Sequence, residues 1–313
     1  MRCALLITVF LASAAAQPVR YELAGRITPE GESSVTLFGA THPFTSSTFT
    51  TDTGRFTFKN LIPATYTVAV YQPGRGEARQ TIEIGPARAD TRRRIQLTIA
   101  LRESDFDTSW EHRRHAITAR ELTIPDRAMR EYAAAQRDLE KSDVESAEKH
   151  LEQAVTIAPQ FAVAWNTLGT IAYQTRRFPL AEERFRTALK HDRTAYEPLV
   201  NLGGVLVTRH KLDEALEVNV HAALTRPHDA LANSQLGMTY FELGQLDAAI
   251  KYLEKARTLD PAHFSHPQLF LAEIHLRRKE NLAAATVLED FLAHHPDYPQ
   301  AEAIRDNIQR LRH

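Results

Sequence analysis

The sequence predicts a multidomain chain, an all-β sandwich followed by an all-α solenoid of about five helix–turn–helix units and a capping helix. Three observations carry this. From Ala128 onward, Ala147, Ala181, Ala215 and Ala249 recur at intervals of 34 residues, and Ala154, Ala188, Ala222 and Ala256 repeat the interval seven residues further on. Up to Leu101, apolar residues instead alternate with polar ones, the period of strands with one buried face. Between the two lies a charged stretch, residues 103–127, that follows neither period and is expected to be a connector.

The chain opens with Met1-Arg2 and an apolar run from Ala4 to Ala12 that is too short to span a membrane. Ala14 and Ala16 fit the small-x-small cleavage rule of a secretory signal peptide. Residues 1–16 are therefore expected to be removed on export to the periplasm or the exterior, leaving a mature chain that starts at Gln17 without a membrane span. Cys3, the single cysteine, falls in that segment, so no disulfide or thiol chemistry is expected. With 38 Lys and Arg against 39 Asp and Glu, the formal charge of −1 gives nucleic-acid binding no support.

Residues 17–102 read as a small antiparallel sandwich. Tyr21, Leu23 and Ile27 alternate with polar residues, as do Val35 and Leu37, Phe56 and Phe58, and Tyr66, Val68 and Val70. Ile82 and Ile84 follow, then Ile95, Leu97, Ile99 and Leu101. Pro29-Glu30-Gly31, Thr53-Gly54, Pro63-Ala64, Pro73-Gly74 and Gly85-Pro86 supply turns. The stretch from Thr51 to Tyr66, with Asp52 before Gly54, Phe56-Thr57-Phe58 and then Pro63, Ala64 and Tyr66, resembles the carboxypeptidase regulatory-like domain, a transthyretin-like sandwich. The resemblance implies an accessory module without peptidase chemistry. Ala64 stands where that family usually has glycine, so an altered turn before Tyr66 is expected.

Residues 128–313 carry the repeat. Trp165, Leu168 and Ala172 recur at helical spacing, as do Leu202 with Leu206 and Leu236 with Tyr240. A second helical run follows in each unit, after a short polar connection such as Arg176-Arg177, His210-Lys211 or Gly244-Gln245. Gly169, Gly203 and Gly237 are expected where the two helices cross, opposite Ala181, Ala215 and Ala249. Pro227, Pro261 and Pro296 end the second helices, because proline cannot supply the internal amide. One unit cannot bury both its faces, so the units must stack. Period and residue preferences resemble the tetratricopeptide repeat family. After Pro296 a last helix, with Ala301, Ile304, Ile308 and Leu311 on one face, is expected to cap the stack.

Catalytic and metal signatures are sparse. His112 and His115 sit three apart, as do His263 and His266, and His294 adjoins His295, but no cysteine or carboxylate set completes a metal site. The ordinary reading is solvated histidines. Arg92-Arg93-Arg94 reads as the charged start of an exposed strand. No nucleophile elbow, phosphate loop or dinucleotide fingerprint is present. No cofactor, metal or catalytic residue is therefore assigned.

The resemblance to tetratricopeptide repeats implies a concave face lined by the first helix of each unit. Carried over by phase, the residues expected to face a protein or peptide partner there are Tyr132, Gln136, Asn166, Thr170, Tyr173, Ser234, Met238 and Phe241. Val200 and Leu269 share that phase and are as readily explained by packing between units. Tyr240, one position before Phe241, belongs to the apolar face with Leu236 and is expected in the core. The fifth position of each unit, Tyr132, Asn166, Val200, Ser234 or Leu269, is never lysine, so a clamp on a peptide's terminal carboxylate has no support. The function expected is non-catalytic protein binding. The rival is a carbohydrate or cell-wall binding protein using Phe38, Phe44, Phe49 or Tyr71 of the sandwich, and a third class is an enzyme with its site at the domain junction.

Overall fold

The computed structural model describes residues 19–101 and 123–313. The expected signal segment, most of the expected connector, and with them Cys3, His112 and His115, lie outside the described residues.

Seven strands form the first domain: β1 (Tyr21–Thr28), β2 (Ser34–Gly39), β3 (Thr45–Phe49), β4 (Arg55–Leu61), β5 (Ala64–Gln72), β6 (Gly76–Ile84) and β7 (Arg94–Ala100). They make one sheet in the order β4-β1-β7 and another in the order β3-β2-β5-β6. The alternating residues do what their period requires: Leu23, Ile27, Val35, Leu37, Tyr66 and Val68 are all fully buried between the sheets. Two features depart from expectation. The sandwich is mixed, because β7 lies parallel to β1, with Glu22 opposite Arg94 and Thr28 opposite Ala100. An apolar alternation has the same period in either direction, so it carries no sign of strand polarity. The strand β3 went unseen, because Thr45-Ser46-Ser47-Thr48 offers no apolar residue to alternate. The turn at Ala64 closes without glycine. Ala64 opens β5, and the buried Tyr66 donates its hydroxyl to the carbonyl of Ile62 at 3.1 Å, tying the strand to the corner before it.

The second domain is five antiparallel helix pairs and a final helix. The pairs are α1 (Asp126–Glu140) with α2 (Val144–Ile157), α3 (Ala162–Gln174) with α4 (Phe178–His191), α5 (Tyr196–Thr208) with α6 (Leu212–Thr225), α7 (Ala230–Glu242) with α8 (Leu246–Leu259), and α9 (Pro267–Arg277) with α10 (Asn281–His294). α11 (Ala301–Arg312) lays Ile304 and Ile308 on the apolar cluster of the last unit. Among the described residues no helix is long and apolar enough to cross a membrane.

Every first helix ends in the same way. Ser142, Arg176, His210, Gly244 and Lys279 adopt left-handed backbone angles, with φ from 57° to 73°. The next amide then reaches back to the last turn: Arg177 N donates to Ala172 O at 2.8 Å, Lys211 N to Leu206 O at 2.9 Å, and Gln245 N to Tyr240 O at 2.9 Å. This closure satisfies a helix-end carbonyl and reverses the chain in two residues. The helices then cross tightly. A Cβ at Gly203 would fall 1.8 Å from the Asn219 Oδ1, one at Gly169 would strike the Phe185 ring and one at Gly237 the Leu253 side chain. The atoms nearest each glycine thus belong to the residue one turn beyond the expected alanine. One layer is polar: Asn233, Gln235 and Thr239 of α7 are buried with Asn219 of α6, whose Nδ2 donates to Thr239 Oγ1 at 3.0 Å.

Two substitutions separate crossing from turn. Gly203→Ala is expected to cost about 1–3 kcal/mol by forcing the helices apart. Gly244→Ala, whose Cβ meets nothing within 4 Å, should lose only about 1 kcal/mol from left-handed strain. Urea melts of the two variants check this, and equal losses would put the crossing elsewhere.

Candidate functional site

The first helices present the expected partner-facing residues, and most of them are tied to the following unit. Tyr132 tilts its ring on Phe161, with centroids 5.2 Å apart, and its hydroxyl lies 3.5 Å from Thr167 Oγ1; burial, eased by those hydrogen bonds, raises its pKa. Asn166 accepts from Asn201 Nδ2 at 3.0 Å. Thr170 donates to the carbonyl of Asn166 at 3.0 Å. Tyr173 shares a hydrogen bond with Thr208 at 3.2 Å and sets its ring edge-on to Phe178, yet remains 36% exposed. The hydroxyl and amide pairs at 132 and 167, 166 and 201, and 173 and 208 are each 35 residues apart; the first two are the same rung in successive units, and the third lies two turns further along its helix. Gln136 is exposed.

Further along, the packing closes. Ser234 was expected to face the groove. It is instead fully buried, with its hydroxyl 2.6 Å from that of Ser265, because the loop entering α9 folds over it. Met238 and Phe241 are half-buried against the last unit's apolar cluster. Phe241 meets Phe270 edge-on at 5.4 Å, with the Arg277 guanidinium 4.5 Å above its ring. Tyr240 stacks on Tyr252 at 5.7 Å and is also half-buried, so the expected division between a core Tyr240 and a groove-facing Phe241 is only one of degree.

Sequence reasoning missed the domain junction. On β5 and β6 the side chains of Ala69, Arg79, Thr81 and Glu83 leave the sandwich on its outer face, yet Thr81 is buried because the solenoid covers it. Asp260, after α8, accepts from both the amide of Thr81 (3.0 Å) and its hydroxyl (2.5 Å). Asp297, after α10, accepts from the amide of Ala87 at 3.1 Å, and Arg88 donates to the carbonyl of His294 at 3.0 Å. Arg79 pairs with Glu197 at 3.5 Å. At the other end, Gln174 Nε2 donates to Gly39 O at 2.9 Å and the Ser46 hydroxyl to Glu140 at 2.7 Å. Contacts therefore run from the first unit to the last. None of the apolar clusters among the described residues spans both domains, so the junction is held by polar groups. A cavity of about 670 Å³ lies between β5–β7 and the loops entering α7 and α9, lined by Arg79, Arg226, Asp229, Asp260 and His263 among others.

The paired histidines meet beside this junction. His266 and His295 stand edge-to-face with centroids 4.7 Å apart, packed on Phe291 and Tyr298. His263 donates to or accepts from Ser265 at 2.6 Å. These rings are packed, not solvated: burial lowers His263 and His266 to about 4 each and His295 to about 3. Among the described residues no group of three or more His, Cys, Asp or Glu is placed to hold a metal ion.

The comparisons match both halves. A family model for the carboxypeptidase regulatory-like domain covers residues 24–98, and tetratricopeptide repeat models cover 132–198, 166–223 and 230–263. The chain joins a carboxypeptidase regulatory-like domain to a tetratricopeptide repeat solenoid. The human cell division cycle protein 16 homolog is 29% identical over 119 residues, 35% of this chain and 19% of that protein. The chain thus spans about a fifth of that relative's length. Among solved structures, MamA residues 41 to the end from Desulfovibrio magneticus RS-1 superposes with a TM-score of 0.50 at 21% identity, over 56% of this chain and 99% of that one. PilW, a type IV pilus biogenesis factor, does so with 0.50 at 18%, over 59% and 90%. These likenesses concern the fold of the helical part.

The histidine cluster sets a pH dependence. An unfolded histidine takes up its proton near pH 6.5, whereas His263 and His266 stay neutral in the fold down to about 4 and His295 to about 3. The unfolded state therefore binds more protons across that window, and stability is lost as pH falls from 6.5 towards 4. The expected loss at pH 5 is about 2 kcal/mol for each histidine that titrates independently. Urea melts at pH 7 and pH 5 measure it. His295→Phe, which removes a buried Nε2 that has no partner, should flatten the dependence; an unchanged slope would place the titrating groups elsewhere.

Proposed function

We propose that this protein is an exported, non-catalytic scaffold that holds a protein or peptide partner along the first-helix face of its solenoid. The observation that carries the reading is Tyr173. Its hydroxyl is fixed by Thr208 and its ring by Phe178, and 36% of it still faces out. An aromatic ring held in one orientation at low entropic cost is the kind of group that dominates binding energy once a partner covers it. Gln136 on the first helix of the unit before it, and Met238 and Phe241 further along, extend a mixed polar and aromatic surface suited to an extended peptide or a helix. The apolar run from Ala4 to Ala12, followed by Ala14 and Ala16, supports export with a mature start at Gln17.

A second reading rests on the sandwich. Phe49 is 73% exposed and lies on the outer face of its sheet, with Ser34 opposite it and Tyr71 on the far side of Ser34, so that Phe49 offers an open ring for a sugar to stack on. Phe44 does not belong with it, since it turns inward against Tyr66 at 5.5 Å.

Affinity isolation from an envelope extract names the partner. With that partner in hand, Tyr173→Ala is expected to weaken binding by about 1–3 kcal/mol with little change in melting temperature. Phe241→Ala should weaken binding and lower stability together, because its ring also packs on Phe270. Tyr240→Ala should act mainly on stability, by roughly 2–4 kcal/mol. Full affinity in the Tyr173 variant would remove the face from the reading, and binding to a cell-wall polysaccharide that Phe49→Ala abolishes would favour the sandwich. Mass spectrometry of the exported chain tests the start at Gln17, and a chain that keeps Met1 contradicts it.

A further inference from the structure

The sandwich has two outer faces, and the solenoid meets one of them. Gly39, Ser46, Arg79 and Thr81, which reach the helices, all belong to the sheet β3-β2-β5-β6. The sheet β4-β1-β7 turns its outer face the opposite way. Alternation decides what that face shows. Phe56, Phe58, Leu23, Ile27, Ile95 and Ile99 point into the core, so the residues between them point out. Register then sets Thr57, Ala24 and Gln96 in a middle row. Arg26 and Arg55 lie opposite each other on one flank of it, and Glu22 and Arg94 on the other, with Lys59 on the neighbouring strand.

The cations of this face exceed what its acids engage. Glu22 pairs with Arg94 at 3.0 Å and Glu30 with Arg26. Asp90 is taken up by the turn before β7, where it accepts from the amides of Arg92 and Arg94 at 2.8 Å each. That turn holds Arg93 at φ 60° and leaves Arg92 and Arg93 exposed beside Arg94. Arg55 and Lys59 are exposed as well, as is Asp52 in the turn before β4. Among the described residues no ion pair engages Arg55, Lys59, Arg92 or Arg93.

What the face lacks selects the partner. None of its outward residues is aromatic, so neither a sugar nor a nucleobase finds a ring to stack on. A flat sheet has no walls to grip an extended peptide. The cations are spread over strands and a turn and follow no single line, which suits a surface better than a thread. We propose that this face adsorbs on a membrane surface rich in anionic lipid headgroups, with the solenoid on the side away from the bilayer. Adsorption is electrostatic, since the face offers no large apolar side chain to insert, and each cation near such a surface adds to the attraction. The site is separate from the first-helix face around Tyr173.

The test uses residues 17–313, so that the apolar run from Ala4 to Ala12 cannot insert on its own account. The protein is sedimented with vesicles of equal parts phosphatidylcholine and phosphatidylglycerol, and with vesicles of phosphatidylcholine alone. Binding is expected to the mixed vesicles only, and to fade as salt screens the exposed charges. Lys59→Gln and Arg93→Gln should each weaken it about fivefold, the equivalent of about 1 kcal/mol per surface cation, and together about twenty-five-fold. Arg130→Gln with Arg310→Gln makes the same change of net charge at exposed helical positions and should alter binding little. All these side chains are exposed, so unchanged melting temperatures show that the variants fold. Equal weakening by the two pairs would mean that net charge drives adsorption and this face does not. Binding to the neutral vesicles, or none to the anionic ones, would overturn the proposal. So would tighter binding to soluble polyphosphate than to vesicles, which would make the occupant a linear polyanion. Tyr173→Ala should leave vesicle binding intact, so this proposal and the partner-binding reading stand or fall separately.

Discussion

The helical half depends on one close approach made over and over. Where the helices of a pair cross, the first helix brings Gly169, Gly203 or Gly237 against a side chain of the second. That contact fixes the distance between the helices, and the left-handed residue that ends each first helix fixes their direction. With both set, the second helix must lay its small residues, such as Ala188 and Ala222, towards the next unit, where they are fully buried. The rungs from Tyr132 to Thr167, Asn166 to Asn201 and Tyr173 to Thr208 can then form because the units stack with a constant offset. A face with chemical character along its length follows from a spacing rule at the crossing.

The sequence was legible where a pattern had to be repeated to work. Five units with the same crossing leave ladders of alanine and glycine, and a strand buried on one face leaves alternation, so the sequence shows a sandwich followed by a solenoid. The left-handed turn was harder to see, because only Gly244 advertises it, while Ser142, Arg176, His210 and Lys279 adopt the same angles at a cost that stacking covers. Polarity of β7 and the existence of β3 left no trace, the first because period is blind to direction and the second because hydroxyl residues carry no alternation. Ser234 shows the limit of carrying a face over by phase: the repeat places its backbone correctly, but a loop peculiar to the last unit covers the side chain.

The junction escaped the sequence for a different reason. Its contacts join residues 179 and 210 positions apart, and each is made by a single carboxylate with nothing in its local context to mark it. Asp260 and Asp297 look like ordinary acids beside Pro261 and Pro296. Only the fold brings Thr81 of β6 and Ala87 after it to them. The histidines tell a similar story, since His263, His266 and His295 looked like surface residues or half a metal site, and the fold turns them into packing against Phe291 and Tyr298 that is paid for in sensitivity to acid.

A stack of helix pairs is ordinarily a spring: small changes in the rotation between neighbours add up, and its ends move apart or together at little cost. Here the sandwich reaches from Glu140 in the first unit to Asp297 beyond the fifth. It bridges the coil like a crossbar, so the end-to-end length cannot change unless a polar contact at one end lets go. Pulled along its axis, such a molecule would stay stiff up to the force that breaks those few bonds and then extend abruptly, with the curvature of the helical face relaxing in the same step.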